Sequence, residues 1–187
     1  MGSAEGEALL RSVYDQHQTD VLAYFLRRLG PEDAAEATAD VFLVVWRRID
    51  QLPPVAERRP WLFGVAHNVL RNRRRLGRRL ARLMTRVAFT PVDPPPQPET
   101  MVVRRAEEDE LLAALERLPP ADGEVLRLRL WEELPFEEVA AVLGCSRHAA
   151  EQRYGKALRR LRSVCRRSGH VGVGGTGSIP LGQEPNP

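Results

Sequence analysis

From Phe89 to Thr100 the chain reads FTPVDPPPQPET. Prolines at that density remove the amide donors a helix needs, and so few apolar side chains cannot make a core. Residues 87–101 are therefore expected to form an extended, flexible linker. Whatever folds must do so on either side of it, over 1–86 and 102–167. Apolar spacing is helical on both sides and no stretch alternates as a strand would, which predicts an all-α chain of two small helical domains. The Gly- and Pro-rich end, 168–187, is expected to be disordered.

In the first unit, Leu9, Val13, Val21, Phe25 and Leu29 mark a helix that Gly30-Pro31 stops. A second helix is expected from about Glu32 to Ile49, with Ala34, Ala37, Val41, Val45 and Ile49 inward and Asp33, Glu36 and Asp40 outward. Its acidic start suits the helix dipole. Phe42 and Trp46 are read as core residues. Asp50–Arg59 is expected to be a loop, with Pro60 opening a third helix through Trp61, Leu62, Val65, Val69 and Leu70. That helix runs into RNRRRLGRRLARLMTR, Arg71–Arg86, which has eight arginines and no acid.

In the second unit, a helix is expected over Val102–Leu118. Pro119-Pro120 breaks it, and Asp122 is placed to cap the next helix, which runs through Val125, Leu126, Leu128 and Leu130. Pro135–Tyr154, PFEEVAAVLGCSRHAAEQRY, then has the spacing of a helix-turn-helix: Val139, Ala140 and Leu143 inward, Gly144 at the turn and Ser146 as cap. Ala150, Ala157, Leu158 and Leu161 continue the inward stripe. From Ser146 to Arg167 there are eight basic residues against a single acid, Glu151.

Net charge is only +3, so the placement of the arginines, not their excess, is informative. Two separate basic surfaces suggest two nucleic-acid contacts. Side chains early in the second helix of such a motif reach base edges and later ones meet phosphates. Arg147, His148, Glu151 and Gln152 are thus base-reading candidates, followed by Arg153, and Lys156 and Arg159 suit phosphates. Glu151 can alternatively pair with Arg147 one turn earlier. Cys145 and Cys165 are too few for a disulfide framework, and Cys145 and His148 lack further zinc-like ligands, so no metal or other cofactor is expected. The longest apolar run, Val41–Trp46, is far too short for a membrane span, and with so few cysteines a reducing cytoplasm is expected. No catalytic triad, carboxylate cluster or phosphate loop points to an enzyme.

With both units in place, the chain resembles the extracytoplasmic-function (ECF) subgroup of bacterial sigma-70-type sigma factors over roughly Ala8–Arg166. Asp33–Trp46, DAAEATADVFLVVW, is similar to that family's second-region helix. Arg59–Arg75, RPWLFGVAHNVLRNRRR, is similar to its promoter-melting segment. Ala114–Arg162, with LERLPP and the closing ALRRLR, is similar to its fourth-region helix-turn-helix.

The resemblance implies binding to core RNA polymerase, through the beta-prime clamp coiled coil and the beta flap, and recognition of promoter DNA in double- and single-stranded form. It implies a minus-35 reader in 102–167 and a minus-10 reader and melting domain in 1–86. Asp33, Glu36 and Asp40 become polymerase-binding candidates. Arg58, Arg59, His67, Asn68 and Arg71 become single-strand contacts, with Arg73, Arg74 and Arg75 on phosphates. His67 stands where the family commonly has Arg, and Ala39 where it has Gln, which removes one polar contact expected to polymerase. In the recognition helix Glu151 replaces a basic residue, so the promoter sequence does not transfer. Anti-sigma partners are common in the family, although no residue here points to one. An ordinary helix-turn-helix repressor is the rival reading, and the Arg-rich melting segment argues against it.

Overall fold

The computed structural model describes residues 3–87 and 106–167. The tail, and the linker beyond Val87, lie outside the described residues. In chain order the helices are α1 (Ser3–Leu26), α2 (Pro31–Arg47), α3 (Val55–Val87), α4 (Ala106–Glu116), α5 (Pro120–Leu130), α6 (Phe136–Leu143) and α7 (Arg147–Arg167), with one 3-10 turn at Ile49–Gln51. The fold is all-α, as the periodicity predicts.

Helices α1, α2 and α3 form the first unit. Pro31 sits at the first position of α2, where a missing N–H costs nothing, and Glu32 and Asp33 face the positive end of the helix. Ala34, Ala37, Val41, Phe42 and Val45 are buried against Val13, Val21 and Phe25 of α1 and Leu62, Phe63, Ala66 and Leu70 of α3. Trp46 departs from its expected place. It is 40% exposed, because Val45 takes the inward position at that turn. Its ring edge rests instead over Gly6, whose Cα carries no side chain to displace it.

The expected 50–59 loop is shorter than predicted. The 3-10 turn takes residues 49–51 and α3 already begins at Val55, leaving Pro60 inside the helix. Pro60 lies so near the N-terminus that it removes only one helical bond, the one to the Ala56 carbonyl. At 33 residues α3 outruns the core. Past Leu70 its leucines, Leu76, Leu80 and Leu83, are all more than half exposed.

Helices α4 to α7 form the second unit around Leu115, Val125, Leu126, Leu128, Leu134, Val139, Ala150, Ala157 and Leu161. The helix-turn-helix is built as its sequence predicts. Gly144 adopts φ 64°, ψ 41°, and the Cys145 N–H donates to the Ala140 carbonyl at 3.0 Å, closing α6 in a Schellman turn. Ser146 Oγ accepts from the Ala149 N–H at 3.2 Å and caps α7. In α6 Val139 and Ala140 are buried as expected, but the third buried residue is Val142, and Leu143 is only partly covered. Asp122 does not cap α5: Pro119 occupies the cap position and Pro120 starts the helix. Asp122 is the third residue instead, buried and ion-paired with Arg160 of α7.

Candidate promoter and polymerase interface

On α7, His148, Gln152, Lys156 and Arg159 recur at helical spacing and are all exposed, forming one outward row. His148 Nε2 and Gln152 Nε2 lie 2.8 Å apart, so these two neighbours hold each other's orientation. Arg147 Nε donates to Glu151 Oε1 at 2.7 Å, and its Nη1 pairs with Glu137 of α6. These carboxylates hold the Arg147 guanidinium above its ordinary pKa, the Glu151 hydrogen bond first among the causes. In the free chain Glu151 is thus engaged by Arg147. Arg153 is half-buried and leaves the row, turning toward α3.

In the first unit, the single-strand candidates spread along α3. Arg58 Nε donates to the Pro53 carbonyl at 3.2 Å and so braces the turn before the helix. Arg59 lies 3.4 Å from Asp20 and over the Phe63 ring. Asn68, Arg71, Arg74 and Arg75 are exposed, and His67 is partly buried.

Arg73 is placed apart from those arginines. It reaches across to α2 and pairs with Asp40 at 2.8 Å, Glu36 at 3.3 Å and Asp33 at 3.7 Å. Partial burial opposes its charge, and the Asp40 and Glu36 carboxylates outweigh that and raise its pKa. The polymerase candidates and one expected phosphate contact are thus a single ion-pair cluster, in which three carboxylates face one cation. Beside it, Glu32, Glu36, Ala39, Leu43 and Trp46 are all exposed at spacings of three and four residues, an outward seam on α2.

Sequence reasoning missed the seam between the two units. At the end of α1, Arg28 is fully enclosed, donating to Glu124 Oε2 of α5 at 3.1 Å and to Glu132 Oε1 at 3.0 Å. Arg27 adds a second contact to Glu132 at 3.2 Å, and the Tyr24 hydroxyl donates to Glu124 at 2.9 Å. His67 Nδ1 stands 3.7 Å from Glu124, too far for a hydrogen bond, so its contact is electrostatic. Burial, the largest single effect, would raise the Glu124 carboxyl. The Arg28 charge and hydrogen bonds, with His67 beside them, together outweigh it and hold the carboxyl far below the ordinary glutamate range. Burial likewise pushes the Tyr24 hydroxyl well up. The one available signal was that α5 sets Asp122, Glu124 and Arg127 among apolar residues on every side, the pattern of a helix enclosed all round.

The closed seam brings together candidates from both units. His67, Arg71 and Arg74 of α3 and Arg153 of α7 line one cleft of about 270 Å³. Among the described residues there is no group of His, Cys, Asp and Glu fit to hold a metal, and no helix long and apolar enough to cross a membrane.

A helix-turn-helix with an outward polar row, joined to a second helical unit whose longest helix carries a run of arginines, defines a two-part DNA-binding protein. Comparison with known proteins makes the class specific. The family model for sigma-70 region 2 matches residues 13–80, and that for sigma-70 region 4 matches residues 114–163. The chain belongs to the sigma-70 family of RNA polymerase sigma factors, within its ECF subgroup. It is 30% identical to the ECF sigma factor SigL of Mycobacterium tuberculosis over 175 residues, covering 86% of this chain and 92% of that protein. It is 28% identical to the sigma factor NccH of Alcaligenes xylosoxydans over 176 residues, with 89% and 92% covered. Among solved structures, CnrH in complex with the cytosolic domain of CnrY matches with a TM-score of 0.61 at 26% identity, covering 84% of this chain and 88% of that one. The sigma factor RpoE in complex with the anti-sigma factor NepR from Bartonella quintana has the same fold, with a TM-score of 0.66 at 18% identity over 83% and 96%.

Proposed function

We propose that this chain is a non-enzymatic initiation factor of the cytoplasm that binds core RNA polymerase through α2, reads minus-35 duplex through α7 and opens the minus-10 element along α3. The observation that carries this reading is the exposed α2 seam. An amphipathic helix normally hides its large apolar residues, yet here Leu43 and Trp46 face outward beside an acidic cluster with more carboxylates than Arg73 neutralises. A seam with that spacing fits a coiled coil, the element to which the family's equivalent helix docks.

His148, Gln152, Lys156 and Arg159 are the minus-35 contacts in this reading, with Arg147 and Glu151 flanking them as a pre-formed pair. Asn68, Arg71, Arg74 and Arg75 meet the melted strand, with His67, Arg58 and Arg59 closer to the turn. The closed seam must open for this to happen. Promoter elements about 25 base pairs apart lie about 85 Å apart along duplex at 3.4 Å per pair. Two readers in contact cannot span that distance. Arg73 and Arg153 become available to phosphates only as their present neighbours are exchanged. An anti-sigma partner, as RpoE has in NepR, would act by holding the closed form or covering α2.

Run-off transcription with cognate core polymerase on a genomic promoter library tests the reading, together with permanganate footprinting of melted thymines. The expected result is transcript only when both proteins are present. Asn68→Ala with Arg71→Ala is expected to cut thymine reactivity about tenfold while leaving polymerase binding intact. No transcript from any promoter, or DNA cleavage by the chain alone, would refute the proposal.

A further inference from the structure

The cleft between the units carries a charge pattern that docking of the two units does not explain. Arg71, Arg74 and Arg78 lie three to four residues apart on one face of α3, and Arg153 of α7 closes on them from the other unit. The first turn of α5, at Pro120 and Ala121, adds the positive end of a helix to the same wall. One acid lines the cleft, Glu124, and it is already held by Arg28 and Tyr24.

Behind the wall, Arg127 is only 6% exposed, and its Nε finds no hydrogen-bond partner among the described residues. Burial, then the charge of Arg28, lowers its pKa; Glu124 and Glu116 oppose this, and Arg74 on the cleft wall adds a smaller lowering. A seam that shuts cations of both units together in this way works against its own closure. An anion between them would offset that repulsion.

We infer that this cleft is a binding site for a small oligophosphate, whose oxygens are shared by Arg71, Arg74 and Arg78 on one side and Arg153 on the other. The volume of about 270 Å³ lies just below the range of drug-sized ligands and suits a chain of two or three phosphates. Guanidinium groups bind such oxygens in pairs with charge-assisted hydrogen bonds. Because each unit supplies part of the site, the ligand binds the closed chain and not the open one, and so stabilises closure in proportion to its concentration. It also occupies arginines that would otherwise face nucleic acid. The site is built from the closed seam and does not depend on the promoter assignments.

The test is calorimetric titration of the full chain with tripolyphosphate at constant ionic strength, with neither DNA nor polymerase present, alongside an interdomain distance measured by fluorescence transfer. One tripolyphosphate per chain is expected, bound about tenfold more tightly than orthophosphate, with a narrower distance distribution on binding. Arg74→Ala and Arg153→Ala, one from each unit, are each expected to weaken it about tenfold. Arg82→Ala and Arg162→Ala remove the same charge from exposed positions outside the cleft and are expected to change it less than about twofold. Equal losses in all four variants, or several ions bound without any change in distance, would reduce the site to a generally basic surface and overturn the proposal. Binding of a non-promoter single-stranded oligonucleotide without binding of tripolyphosphate would also overturn it, assigning the arginines to nucleic-acid phosphates alone.

Discussion

Arg28→Ala is expected to open the molecule. The substitution leaves Glu124 and Glu132 facing each other in the seam, with Glu124 deprived of its principal cation. Removing one partner of a buried pair costs about 3–5 kcal/mol, mostly through the uncompensated charge that remains. Since the two units can part and return these groups to water, the loss should appear as separation and not as unfolding of either core. A shift of that size takes an equilibrium lying about 99:1 toward closure to one at least as open as closed. Interdomain distance distributions for the wild type and the variant check this, with circular dichroism showing that helix content is retained. Acid should do the same to the wild type. The Glu124 carboxyl titrates below its ordinary value of 4.5 in the closed form, so its contribution is complete at neutral pH and is lost as pH falls below about that value. Glu124→Gln should remove most of that acid sensitivity.

Trp46→Ala is expected to have the largest effect on polymerase binding of any single change on α2. The ring is 40% exposed, packs lightly over Gly6 and contributes little to the core. Its loss should therefore leave the fold nearly unchanged. A large aromatic at the centre of an interface is commonly a hot spot, costing about 2 kcal/mol or more when truncated, or about 30-fold in affinity. Leu43→Glu, which sets a charge on the same seam, should act in the same direction. Competition with a labelled sigma factor for core polymerase measures both. Unaltered affinity in the two variants would move the docking surface off α2.

The fold was legible where a single helix decides the outcome. The Gly144 turn, the Ser146 cap and the stripe from Ala150 to Leu161 follow from local chemistry, and the structure has all three. Asp122 and Trp46 were misread because both sit where tertiary contacts override local rules: Asp122 has a cation waiting on α7, and Trp46 is displaced outward by Val45. The seam was least visible. Tyr24, Arg28, Glu124 and Glu132 are separated by some hundred residues, and each looks locally like an ordinary surface group. Only the enclosure of α5 turns them into one buried network. The basic residues were correctly seen as two blocks, yet nothing in their spacing revealed that Arg153 would face Arg71 and Arg74 across a cleft.

In the proposed function the chain is closed when free and open when it reads a promoter. Fluorescence transfer between one dye on α2 and another at the end of α7, recorded for the free protein and again with core polymerase and promoter DNA, tests this directly. High transfer in the free chain that falls sharply in the initiation complex is the predicted result. Transfer that stays high in a transcriptionally active complex would contradict the account, since the two units would then be reading the promoter without parting.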